Sequence, residues 1–185
     1  MNVEELVKTI VERSRSISSI RTIRTYDSGG VTESWKVGGN SYSRSVSNYG
    51  DAAETLDYEG RRYSRMVPGR WMPSDGNFWT GFRAANEGGL YSPSYQFDFS
   101  WPRDLSLLGE ELLDSNKVWH LRGTVNAMDE GERESWVIEM WVDENFAIHK
   151  MEVLLQEDGR AIERTVTQYS AFNEFSDLPI DLPDP

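Results

Sequence analysis

Apolar and polar residues alternate most clearly in the last third of the chain. In "ESWVIEMWVD" (134–143), Trp136, Ile138, Met140 and Val142 share one face of a strand. A turn at Glu144-Asn145 leads into "FAIHKMEVLLQ" (146–156), which returns antiparallel. "KVWHLRGTVN" (117–126) precedes this pair with Trp119, Leu121 and Val125 on one face. "AIERTVTQYSAFN" (161–173) follows it, with Ile162, Val166 and Phe172 on one face. Asp158-Gly159 between the last two is the strongest hairpin signal in the chain. The pattern predicts a meander of four long antiparallel strands. Val137 and Trp141 fall on the second face of the central strand. Glu139 and Asp143 alternate with them, so that face is predicted to be largely solvated.

The remaining pattern is mixed. Val3, Leu6, Val7, Ile10 and Val11 recur at helical spacing, with Glu4, Glu5, Lys8 and Glu12 opposite, which predicts an N-terminal helix over 3–17. Strand signals follow at 20–27, 31–37, 52–59 and 61–67, with a hairpin turn in "EGRR". Pro68 and Pro73 bar a central strand beyond them. Leu105, Leu108, Leu112 and Leu113 have helical spacing and predict a second helix within 102–117. The Pro-rich tail "DLPIDLPDP" reads as extended. No repeat and no internal linker is visible. The predicted architecture is α+β, a single domain over 1–185. One large, curled antiparallel sheet (an unclosed β-barrel) has helices covering its concave face.

Composition adds two constraints. The formal charge is −12, which repels phosphate backbones, so nucleic acid is not expected as a partner. There is no cysteine, which removes disulfides and thiolate metal sites. No apolar run approaches the ~20 residues that span a bilayer. Of the 22 aromatic residues, nine fall between Trp71 and Trp101, on a stretch rich in Gly, Pro, Ser and Asn. That load on loop-like sequence points to a lining role.

Catalytic signatures are weak. Neither a G-x-S-x-G elbow nor a phosphate-binding glycine loop is present. His120 and His149 both fall on predicted strands without helical partners. A metal held between them and a carboxylate competes with ordinary strand histidines. The acidic run 129–134 lacks calcium-loop spacing and reads as a solvated loop. Glu139 and Glu152 sit on neighbouring strands. A dry carboxylate pair competes there with ion pairing to Lys150, which shares a face with Glu152. No cofactor is expected.

Four stretches together resemble the lipoprotein-carrier superfamily typified by LolA, especially its LppX/LprG-type lipoproteins. "LVKTIVERSRSISSIRTIRTY" is similar to that superfamily's first helix and first strand. "YSRMVPGRWM" (63–72) resembles a strand with an aromatic residue before a turn. "WVDENFAIHKMEV" (141–153) is similar to its W-I-D hairpin. "YSAFNEFSDLPIDLP" (169–183) resembles its closing strand and tail. The resemblance covers most of the chain. It implies an unclosed barrel of ten or eleven strands with helices as a lid, an exported protein, and acyl chains of lipids or lipoproteins bound between sheet and lid. Anchoring would then depend on an N-terminal lipidated cysteine outside this sequence, the one route to membrane association expected. The family carries no invariant catalytic set. A lid-closing arginine is known in LolA, and Arg65 and Arg70 are candidates by position. The expected function is a non-enzymatic, extracytoplasmic binding protein or carrier for lipid, acylated or other apolar ligands. Trp71, Phe78, Trp79, Phe82, Trp119, Trp136, Met140 and Trp141 are its expected lining. The alternative is an envelope sensor or protein-interaction module on the same fold.

Overall fold

A computed structural model describes residues 3–74, 104–126 and 134–180 of the chain. A helix, α1 (Val3–Arg15), is followed by β1 (Ser19–Tyr26), β2 (Val31–Val37), β3 (Asn40–Val46), β4 (Ala52–Tyr58), β5 (Arg61–Val67) and β6 (Met72–Pro73). Then come β7 (Ser106–Leu113), β8 (Asn116–Asn126), β9 (Glu134–Asp143), β10 (Ile148–Glu157) and β11 (Arg160–Ser170). These strands form one sheet in the order β6-β5-β4-β3-β2-β1-β11-β10-β9-β8-β7. Every neighbouring pair is antiparallel, so two meanders run outwards from the central β1–β11 pair. The sheet is not closed: among the described residues β6 and β7 are its two ends.

The turns follow from local chemistry. Two-residue hairpin loops match the strand twist when both central residues take positive φ. Glu59-Gly60 (φ 49° and 75°) and Asp158-Gly159 (48° and 75°) do this, as the sequence predicts. The β9–β10 turn is built by Asp143. Its Oδ1 accepts the backbone N–H groups of Asn145 and Ala147, each at 2.9 Å, and Oδ2 sits 2.9 Å from His149 Nε2. The chain after β11 returns to the start of β1. Asn173 Oδ1 accepts the Ser18 N–H at 2.7 Å, and Asn173 N–H donates to Ser19 O at 2.9 Å.

α1 has acidic residues in its first turn and basic ones in its last, which suits the helix dipole. It ends where Ser14 and Ser16 turn their hydroxyls back onto the carbonyls of Ile10 and Arg13. Leu6 and Ile10 pack onto Leu121, Ile138, Met140, Val142, Ile148 and Met151, all buried. Burying each such side chain stabilises by about 1.5–3 kcal/mol. This cluster fixes which face of the sheet is the α1 face.

Two expectations are corrected. The second helix expected within 102–117 is not formed: Ser106–Leu113 is strand β7, paired with β8. The leucine spacing fits a helix, but a helix that short is marginal in water and the long-range ladder prevails. Gly109 lies beside an irregularity in register, and Asp114 and Ser115 (φ 50° and 70°) make the turn. So the described residues hold one helix, not several, over the sheet. The second correction is an addition. "NSYSRSV" is strand β3, masked in the pattern because Ser41, Ser43 and Ser45 replace apolar residues on one face.

Candidate functional site

Cross-strand register carries the α1 face across the whole sheet. One row runs Leu121, Met140, Met151, Thr167, Arg24, Thr32, Ser45, Ala53 and Met66. A parallel row runs Tyr169, Thr22, Ser34, Ser43, Thr55, Ser64 and Met72. The face is therefore divided. From β8 to β10 it is apolar and lies under α1. From β11 to β5 it is floored by hydroxyls.

Around the apolar part, Trp119, Trp136, Phe146, Val153 and Tyr169 are partly buried against the core. Trp119 and Phe146 are tilted rings with centroids 5.5 Å apart. Desolvation pushes the Tyr169 phenol up to about 12. On the polar part, Thr32 and Ser45 hydrogen-bond at 3.0 Å, and Ser43 and Thr55 at 2.6 Å. Ser64 is buried. Asp57 is held bidentately by Arg62 at 2.6 and 3.1 Å. Burial lowers the Lys36 ammonium.

The outer face is held by charge and aromatic stacking. Near β8–β10, the His120 ring lies between two carboxylates: Nδ1 is 2.7 Å from Glu111 and Nε2 is 3.0 Å from Glu139. Trp141 stacks on His120, donates its indole N–H to Glu111 at 3.0 Å, and has Lys150 4.3 Å from its ring centroid. Hydrogen bonds from Trp141 and His120 hold the Glu111 carboxyl below the usual range. Glu139 and Glu152 are cross-strand partners. Glu152 is paired with Lys150 at 2.6 Å and with Arg164. Burial would raise its carboxyl, but the two cations together lower it. Near β3–β5, buried Glu54 pairs with Arg65 at 2.6 Å. Trp35 stacks on Tyr42 at 5.4 Å. Desolvation and a hydrogen bond to Glu54 push the Tyr42 phenol up to about 12.

The expected lining residues therefore separate. Trp119, Trp136 and Met140 meet on the α1 face. Trp141 is on the outer face, and Trp71 stacks beneath Arg65, 4.4 Å from ring centroid to guanidinium, on that same outer side. Phe78, Trp79 and Phe82 lie outside the described residues. Arg65 is committed to Glu54 and Trp71, and Arg70 is exposed. Sequence reasoning missed the hydroxyl rows. Their signal was present in the every-second-residue serines of "SYSRS".

This arrangement, an open antiparallel sheet with a helix across one part of one face, is also the fold of two proteins of known structure, one of them a lipoprotein. The crystal structure of LprF from Mycobacterium bovis superposes with a TM-score of 0.63 at 13% identity, covering 98% of this chain and 96% of that one. Mycobacterium tuberculosis lipoprotein LppX superposes with a TM-score of 0.51 at 14% identity, covering 97% and 99%. The resemblance read from the sequence thus holds at the level of the fold. No protein-family model matches the chain, and no curated protein sequence does.

Proposed function

We propose that the chain is a non-enzymatic binding protein of the cell envelope that holds a lipid or acylated ligand on its α1 face. The observation that supports this most is the division of that face. Serines and threonines set the sheet surface back beside a rim of partly buried Trp119, Trp136, Val153 and Tyr169. An acyl chain against that rim gains about 0.8 kcal/mol per buried methylene. The polar end of the same molecule meets the hydroxyls. In this reading Trp119 and Trp136 line the chain side, with Phe78, Trp79 and Phe82 from the segment between β6 and β7, and Met140, buried beneath α1, backs them. Trp71 and Trp141, on the outer face, are left out. Likeness of fold to the lipoprotein LppX supports an extracytoplasmic location and anchoring through a lipidated cysteine upstream. No helix among the described residues is long and apolar enough to cross a membrane.

Displacement of a fluorescent fatty acid tests this reading. Saturable binding, competed by unlabelled lipid and weakened by Trp136→Ala, is expected. No binding of any apolar probe would count against it. A second reading, an envelope sensor or protein-interaction module, is favoured by the tight packing of α1 on fully buried Ile138 and Val142. It predicts no lipid uptake and a protein partner in envelope extracts.

A further inference from the structure

β7 ends the sheet among the described residues, and it carries an unusual load for an edge. Leu107, Leu108 and Leu112 are 46%, 53% and 76% exposed. Edge strands present unpaired backbone groups, and proteins normally blunt them with charge, proline or bulges. The other end, β6, is so blunted: it is two residues long and contains Pro73. β7 has eight residues and no proline.

Its two blunting devices do not block pairing. The register shift between Leu107 and Gly109 skips one residue. Leu107 therefore pairs with Leu121, and Leu112 with Lys117, on the same face. Without the bulge, an odd separation would put the two leucines on opposite faces. The glutamates are already engaged within their own chain: Glu110 pairs with Lys117, and Glu111 is held by His120 and Trp141.

We propose that β7 pairs antiparallel with β7 of a second copy, about a two-fold axis at Glu110. With the bulged residue skipped in both strands, the pairing is symmetric. Leu112 of each copy faces Leu107 of the other, Glu111 faces Gly109, and Glu110 faces Glu110. All partners then project to matching faces, as an isologous interface requires. The two sheets become one continuous sheet, and each Leu112–Leu107 pair buries its two leucines on the α1 face, one pair on either side of Glu110 and its counterpart. Each copy carries −12, so salt strengthens the association by screening repulsion.

The absence of cysteine from residues 1–185 makes one experiment decisive. Directly opposed residues in an antiparallel pair lie about 4.5–5.5 Å apart at Cα, within the roughly 4.4–6.8 Å span of a disulfide. Mild oxidation of the Glu110→Cys variant is expected to give a covalent dimer rapidly, whereas the Lys117→Cys variant, one strand further in, does not. Analytical ultracentrifugation of the unmodified chain is expected to show a monomer–dimer equilibrium that tightens with salt. Leu112→Glu weakens it about tenfold or more while the folded spectrum is kept, and Glu110→Gln tightens it. The proposal is overturned by a monomer at every concentration and salt. It is equally overturned by a dimer that Leu107 and Leu112 substitutions leave unchanged, or by equal cross-linking of the two cysteine variants.

Discussion

His120 and Trp141 stand directly opposite each other on β8 and β9, with ring centroids 4.4 Å apart and planes 18° apart. This pair corrects the expectation that the second face of β9 is largely solvated: Val137 and Trp141 are both buried there. Trp141 is 7% exposed because its neighbours on the same sheet face cover it: His120 on one side, Lys150 on the other, Glu111 at the indole N–H. Among the described residues, a buried tryptophan is thus accommodated without a second layer of structure. Trp141→Ala is expected to cost about 3–5 kcal/mol, read as a lower urea midpoint at unchanged m-value. Trp141→Phe keeps the stacking and loses the bond to Glu111, so a smaller cost of about 1 kcal/mol is expected. Equal losses for the two variants would contradict this account.

The β9–β10 turn gives a second prediction. Asp143 accepts two backbone N–H groups and faces His149. Asp143→Ala leaves those donors without their acceptor and is expected to cost about 1–3 kcal/mol. Asp143→Asn keeps one acceptor oxygen and should retain part of the stability. Hydrogen exchange at Asn145 and Ala147 checks it, with faster exchange in the alanine variant.

Tyr42 and Tyr169 are both pushed up to about 12, chiefly by desolvation. Each phenol therefore holds its proton longer in the folded chain than in the unfolded one. That contribution is intact below about pH 10, where both states are protonated, and stability falls as pH rises from there towards 12. Absorbance titration at 295 nm should show at least two of the eight tyrosines ionising late. Tyr169→Phe should remove one of them. Eight tyrosines titrating together at their ordinary value in the folded state would refute the burial of these two.

Glu152 gives the acid-side counterpart. Burial opposes its charge, but Lys150 and Arg164 outweigh burial and lower its carboxyl. A lowered folded value means the stabilisation is present above the ordinary carboxylate range and lost as pH falls through the folded value. The stability gap between the natural chain and Glu152→Gln should be open at pH 7 and close on acidification below about pH 4. A gap independent of pH would show that the ion pairs contribute nothing.

Much of the fold was legible where one face is apolar and turns carry their own chemistry. β8 to β11 alternate, Asp158-Gly159 marks its hairpin, and α1 has an apolar stripe. β7 was not legible, because Leu105, Leu108, Leu112 and Leu113 fit a helix and the bulge breaks the alternation that would have shown a strand. β3 was hidden because its α1 face is serine. Of the outer network, only the Lys150–Glu152 ion pair was legible, from its spacing on one face. Glu111, His120, Glu139, Trp141 and Lys150 come from four strands, and no local pattern predicts their meeting. For the candidate site, Trp119, Trp136 and Met140 were readable from alternation, which also set Trp141 on the opposite face from the expected lining, whereas Trp71 needed the register to be placed.

The central claim is that the α1 face holds lipid. Native mass spectrometry of the chain purified gently from a cell envelope tests it most directly. The account predicts a lipid-sized mass addition that organic extraction removes and that a Ser43→Trp variant, with the hydroxyl floor filled, carries in much lower amount. A bare polypeptide mass for the natural chain, unchanged after incubation with lipid vesicles, would contradict it.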